Sequence, residues 1–258
     1  MAASLNDPQR STISVLTCVL PRGSEWLGEA WQSLESQILP DGVSWEWLVQ
    51  IDGGGDLRST IPEDDPRIKI DRNFKSFGPA IARNMALSRA SGEFVKVLDA
   101  DDLILPGQLS RDLSVLTQNP KIGWVTCRAA DLLPDETVVD FHDDPEEGVL
   151  PNGYIHSYWL SRGIPPVVPG TLMARTSLVL AMGGWSGTPL SGDTGLLLAM
   201  EAVSDGFYLR ETGMLYRKWD EQITRSSLSM HDGARRNRVA LMDARVRELR
   251  RWEIRWRC

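Results

Sequence analysis

Cysteine is scarce in this chain of 258 residues. Its three, Cys18, Cys127 and Cys258, are widely spaced and odd in number. They form neither a metal-type pair nor a disulfide framework, so a reducing, cytoplasmic setting is the expectation. No window approaches the roughly 20 apolar residues of a membrane span. Residues 1–10 are polar and lack the apolar stretch of a signal peptide. Basic charge is short as well. The net charge is −7, and residues 233–258 hold nine arginines against Asp243, Glu248 and Glu253, a balance of +6 that leaves −13 on the rest. An acidic body argues against nucleic-acid binding, which needs a basic surface. It also requires that an anionic substrate be held by a metal or by local donors.

What the chain does have is a run around which the rest is ordered: Gly92-Glu93-Phe94-Val95-Lys96-Val97-Leu98-Asp99-Ala100-Asp101-Asp102. Phe94, Val95, Val97 and Leu98 are strand formers, and Gly92 marks where the strand begins. Three acids at a strand's end repel one another and need a cation or hydrogen-bond donors to stay ionised. Hard carboxylate oxygens suit Mg2+ or Mn2+, which bind through one or two carboxylates plus substrate phosphates. A plainer role is also open, in which Asp101 or Asp102 feeds a helix starting near Pro106.

Residues 12–19 read as a first strand, and Ser24 as the N-cap of a helix in which Trp26, Leu27, Ala30, Trp31, Leu34 and Ile38 recur at helical spacing. Residues 45–51 read as a second strand, and the order strand, helix, strand predicts a right-handed parallel βαβ unit. That strand ends in Asp52-Gly53-Gly54-Gly55, which matches no phosphate-loop pattern. Asp52 itself sits at the strand edge where open parallel sheets bind ligands. A short strand at 67–71 precedes a mostly apolar helix at 79–90, within which Arg83 and Asn84 are polar. After a helix at 106–118, residues 121–130 and 137–141 read as strands and 142–158 as an irregular loop over the site or between lobes. Residues 167–174 read as a strand, 175–182 as a short helix and Gly183-Gly184-Trp185 as a break. Asp193 precedes a Leu- and Ala-rich helix to 203, where it could be the N-cap. Two short strands at 207–210 and 214–218, a polar stretch at 219–230 and an Arg-rich helix from 232 close the chain.

In this order the residues resemble family 2 glycosyltransferases of the GT-A fold. The resemblance is carried by Ile13-Ser14-Val15-Leu16, Gln50-Ile51-Asp52-Gly53-Gly54 and Ala82-Arg83-Asn84. It continues through Ala90-Ser91-Gly92-Glu93-Phe94, Leu98-Asp99-Ala100-Asp101-Asp102, Gly183-Gly184-Trp185, Gly192-Asp193 and Tyr216-Arg217. It implies an α/β fold with a mostly parallel sheet flanked by helices and a smaller acceptor-side lobe. It also implies a metal-dependent, inverting transfer of a sugar from a UDP- or dTDP-sugar to a hydroxyl on a small molecule or glycan. Asp52 would accept a hydrogen bond from the base, Cys18, Val19 and Leu20 would line it, and Asp99 would face the ribose. Arg83 and Ala100 complete the donor-binding set. Asp101 would hold Mg2+ or Mn2+, and Asp193 would be the general base.

This sequence departs from the pattern at Ile51, Gly192, Thr194 and Gly195, and at Lys218-Trp219, where many relatives carry a histidine. Trp185 and Trp219 are candidates to stack on an acceptor, and His231 to touch metal or phosphate. The expected division is a tail at 1–11, a nucleotide-sugar half at 12–130, an acceptor and catalytic half at 131–231, and an Arg-rich helix at 232–258. That helix is expected to pack on the acidic body, with a homodimer contact or acidic lipid as alternatives. A non-catalytic nucleotide-sugar-binding scaffold and a nucleotidyltransferase are the rival functions. The second lacks its basic Gly-rich loop.

Overall fold

The computed structural model describes residues 13–21, 23–58, 61–141, 144–188, 190–220, 222 and 232–256. Strand β1 (Ile13–Val19), aliphatic and buried almost throughout, is the sheet's first central strand. It pairs in parallel with β2 (Trp45–Asp52) on one side and β4 (Phe94–Val97) on the other, and β3 (Ile68–Asn73) extends the sheet beyond β2. Helices α1 (Leu27–Glu35) and α2 (Pro79–Leu87) make the crossovers that parallel pairing requires. The sheet continues through β9 (Met173–Arg175), antiparallel to both β4 and β6 (Ile122–Leu132). Beyond them β10 (Asp205–Arg217) runs parallel to β6, and β5 (Leu103–Ile104) closes the edge. Short β7 (Val138–Asp140) and β8 (Gly148–Leu150) pair with β6 and β10, which makes ten strands among the described residues.

Strand side chains alternate, so neighbouring residues of β1 and β2 feed two cores. Val15 and Trp47 lie in the layer with Leu27, Trp31 and Leu34 of α1 and Leu109, Leu113 and Leu116 of α3 (Gln108–Gln118). Leu16 and Leu48 lie in the opposite layer, with Ala86 of α2, Leu178 of α5 (Thr176–Ala181) and Leu196 to Met200 of α6 (Gly192–Glu201). The Arg-rich helix, α7 (Asp232–Arg251), packs on this second layer through Met242 and Val246. Its Arg250 pairs with Glu201 at 2.9 Å, so it does dock on the body.

Several local expectations change. Ser24 does not cap α1; its hydroxyl donates to the Pro21 carbonyl and accepts from the Arg58 N–H, tying two loops together. Ile38 is 82% exposed, because α1 ends before it. The region read as a loop at 142–158 contains β8 and the start of α4 (Tyr154–Arg162), capped by left-handed Gly153 and Gly163. The stretch read as a strand at 167–174 is mostly a 3-10 turn at Pro169–Thr171, because proline cannot donate to a ladder, and only β9 pairs. The two short strands expected at 207–218 are one strand, β10, with register shifts near Leu209 and Thr212. Most of 219–230, and His231, lie outside the described residues.

Two contacts place the site. Thr17 Oγ1 donates to the Leu98 carbonyl at 2.7 Å and accepts the Trp47 indole N–H at 2.8 Å. The chain leaving β4 is thereby held against β1 immediately before Asp99. At the other end of β4, a Cβ on Gly92 would stand 2.6 Å from the Ser14 nitrogen, so only glycine allows that approach.

Candidate active site

A cavity of about 200 Å³ opens beyond the carboxyl ends of β1 and β4. It gathers Cys18 and Leu20 from the end of β1, Arg83 from α2, and Asp99, Ala100 and Asp101 from the turn after β4. Asp193 reaches it from the first turn of α6 and Trp219 from beyond β10. These come from segments up to about 200 residues apart in sequence, and the sheet's ligand-binding edge brings them together.

Arg83 joins the two sides of this cavity. Its guanidinium bonds Asp99 through Nη2 and Asp193 through Nη1, the latter at 3.1 Å. Arg83 is only 4% exposed. Burial opposes its charge, but the carboxylates of Asp193 and Asp99 outweigh burial and raise its pKa. Asp193 is not the N-cap of α6; Ser191 holds that position, with φ 63°. Its carboxylate turns into the cavity, where Oδ1 accepts the Trp185 indole N–H at 2.7 Å.

Asp101 and Asp99 face the same cavity. Burial, then the charge of Asp99, pushes the Asp101 carboxyl above the usual carboxylate range, although Trp219 donates its indole N–H to Oδ2 at 2.7 Å. Asp102 is buried behind them, accepts the Arg217 N–H at 3.0 Å through Oδ1, and leaves Oδ2 without a partner. Burial and the neighbouring Asp101 raise its carboxyl too. Such crowded hard oxygens fit a divalent cation, which would offset their repulsion. Among the described residues no group of three His, Cys, Asp or Glu side chains is set to enclose an ion. Any cation held there would take its remaining ligands from phosphate and water oxygens.

Three expected residues do not line the cavity. Val19 is 1% exposed and lies in the α1-side core. Asp52 is buried and fully engaged: Oδ1 accepts from Asn73 and the Phe77 N–H, Oδ2 from Ser76 and the Gly78 N–H. It staples β2 to the start of α2 instead of presenting an open acceptor. Trp185 is 2% exposed, so it offers no face for stacking in this structure. Trp219 does reach the cavity, with its ring 4.8 Å from that of Trp26. Sequence reasoning gave no site role to Pro79, Thr188, Leu190, Ser191, Tyr216 and Gln222, which also line the cavity. Of these, Tyr216 had a signal in the Tyr216-Arg217 pair, and Ser191 stands two residues before Asp193. Burial pushes the Cys18 thiol up to about 12, which disfavours its thiolate form.

Residues 14–176, more than half of the chain, match the family described as Glycosyl transferase family 2. The chain belongs to this family. Among similar members is the UDP-Glc:alpha-D-GlcNAc-diphosphoundecaprenol beta-1,3-glucosyltransferase WfgD of Escherichia coli, 37% identical over 34% of this chain and 35% of that protein. Another is the GalNAc(5)-diNAcBac-PP-undecaprenol beta-1,3-glucosyltransferase of Campylobacter jejuni, 38% identical over 33% of this chain and 28% of that one. The matches span about a third of these relatives' length. The structure resembles S. aureus TarS 1-349 in complex with UDP-GlcNAc, with a TM-score of 0.63 and 18% identity over 84% of this chain and 61% of that chain. A second structure of S. aureus TarS gives a TM-score of 0.65 and 18% identity over 80% of this chain and 37% of that chain. The glycosyltransferase fold expected from the sequence, an α/β architecture on a mostly parallel sheet, is therefore the one observed. No helix among the described residues of this family member is long and apolar enough to cross a membrane.

Proposed function

We propose that this site moves a sugar from a nucleotide diphosphate donor, a UDP- or dTDP-sugar, to an acceptor hydroxyl, with inversion at the anomeric carbon. The observation that carries the reading is the Arg83 bridge, one buried guanidinium joining Asp99 to Asp193 on the wall of a single cavity. Cys18, Leu20 and Ala100 form the surface for the nucleoside, and Asp99 accepts a ribose hydroxyl. Asp101 holds Mg2+ or Mn2+; when bound, the cation supplies positive charge for the departing nucleoside diphosphate. Asp193 takes the acceptor's proton, because a sugar hydroxyl is a weak nucleophile until a base within hydrogen-bond reach removes it. The named acceptors of WfgD and its Campylobacter counterpart belong to those proteins; from them we extend only the class, a saccharide hydroxyl.

Asp193→Asn tests the assignment. Turnover should fall by roughly 100-fold or more while UDP affinity is kept. A second reading, a nucleotide-sugar-binding protein without turnover, is favoured by the engagement of both carboxylates. Trp219 occupies Asp101, and Arg83 and Trp185 occupy Asp193. Under that reading parent and Asp193→Asn bind UDP alike and neither releases product.

A further inference from the structure

The two oxygens of Asp193 are not equivalent. Oδ1 accepts the Trp185 indole N–H at 2.7 Å and stands 3.1 Å from Arg83 Nη1. Among the described residues Oδ2 meets only Arg83 Nη1, at 3.2 Å. The indole that makes this difference is itself held firmly. Asn84 Nδ2 donates to the Trp185 carbonyl at 2.9 Å, and the Trp185 N–H donates back to Asn84 Oδ1 at 2.9 Å.

This pairing explains the glycine before the tryptophan. Gly184 has φ +67°, and a Cβ there would stand 2.2 Å from Asn84 Oδ1. Asn84 follows Arg83 on α2, so adjacent residues of one helix hold the same carboxylate by two routes. Arg83 does so by direct charge, Asn84 through the backbone and indole of Trp185.

We infer that Trp185, clamped by Asn84, is the positioning residue of Asp193, and that Oδ2 is the oxygen that takes the acceptor's proton. The inference rests on the transferase reading above. In the step, the acceptor O–H proton passes to Oδ2 while the acceptor oxygen forms its bond to the anomeric carbon. The bond from that carbon to the diphosphate oxygen breaks, and its electron pair leaves on the phosphate. Oδ1 stays on the indole throughout, which fixes the carboxylate plane. A misplaced base loses rate steeply, on the order of 100-fold for about 1 Å.

Two measurements on the full chain test this. With 15N-labelled tryptophan, the Trp185 indole resonance is assigned by its loss in Trp185→Phe. It should lie downfield and move upfield in both Asp193→Ala and Asn84→Ala. In parallel, release of UDP or dTDP is followed from UDP-glucose, UDP-GlcNAc and dTDP-glucose. Trp185→Phe keeps a ring in the core and should lose roughly 10- to 100-fold in turnover. Asn84→Ala should lose a similar factor, and the double variant no more than the worse single one, with UDP affinity and melting temperature close to the parent's. An indole resonance indifferent to Asp193→Ala, or full turnover in Trp185→Phe, overturns the inference while leaving the transferase reading intact. A parent that releases no nucleoside diphosphate from any of these donors sinks that reading and the inference with it.

Discussion

Arg83 carries a full charge at 4% exposure, and Asp193 and Asp99 are what make that tolerable. Removing it would leave two carboxylates facing one another across the cavity. Arg83→Met should cost roughly 1–3 kcal/mol of stability, below the ~3–5 of a fully buried pair because both acids are about a third exposed. Urea unfolding reads that loss, and UDP release should fall below detection. Asp52 offers a second residue-scale test. Burial alone would raise its carboxyl, but hydrogen bonds from Phe77, Asn73, Ser76 and Gly78 outweigh it and hold the group below 3.8. Between the folded and unfolded values the unfolded chain binds more protons, so this stabilisation is present above about pH 4 and is lost as pH falls through the folded value. Asp52→Asn should lower stability at pH 7 by roughly 1–3 kcal/mol, because the Gly78 N–H then faces an amide. Its urea midpoint should also fall less steeply than the parent's between pH 4.5 and 3. Parallel curves would remove Asp52 from that role.

At the scale of elements, β1, β2, β4, α1 and α2 were legible because each is a continuous apolar or helical-period run. The turn at Asp99 to Asp102 was legible because three acids crowd at the end of an apolar strand, which marks the strand's end and its polar surroundings together. The second half was less so. Ile155 and Trp159 do stand at helical spacing between Gly153 and Gly163, but the acidic, proline-bearing stretch before them hid α4. The run from Val167 looks β-forming, yet Pro169 diverts it into a turn. Roles were harder still. The type of Asn84 signalled polarity, whereas its partner, the Trp185 backbone, is 101 residues away. Asp52 looked like an open acceptor because its four donors come from the end of β3 and the loop after it. Close packing between elements can be tested at Gly92, whose hydrogens alone allow β4 to begin beside Ser14. Gly92→Ala forces backbone to shift and should cost roughly 1–3 kcal/mol, read as a lowered urea midpoint with UDP binding weakened in proportion. A neutral substitution would mean that β1 and β4 adjust freely.

Across the whole molecule, α7 closes the helical layer behind α6 through a polar clasp. His156 of α4 contacts Asp243 through Nε2 and Arg250 through Nδ1, both at 3.1 Å, and Arg250 continues to Glu201. Burial, then the charge of Arg250 with a smaller contribution from Arg247, lowers the His156 pKa below 6.5, against the pull of Asp243. The unfolded chain therefore takes up the proton first, and stability falls as pH drops through 6.5 towards the folded value. The melting temperature should decrease between pH 7.5 and 5.5, and His156→Gln should flatten that dependence; an unchanged slope would place the titration elsewhere.

On the proposed function, one end of the sheet binds a nucleotide diphosphate through a metal held at Asp101. Calorimetric titration of UDP and dTDP, each with Mn2+ and with EDTA, into the parent and Asp101→Ala tests this. Binding of one nucleotide should require Mn2+ and be lost in Asp101→Ala. Absence of binding by either nucleotide, or Mn2+-dependent binding that survives in Asp101→Ala, would contradict it.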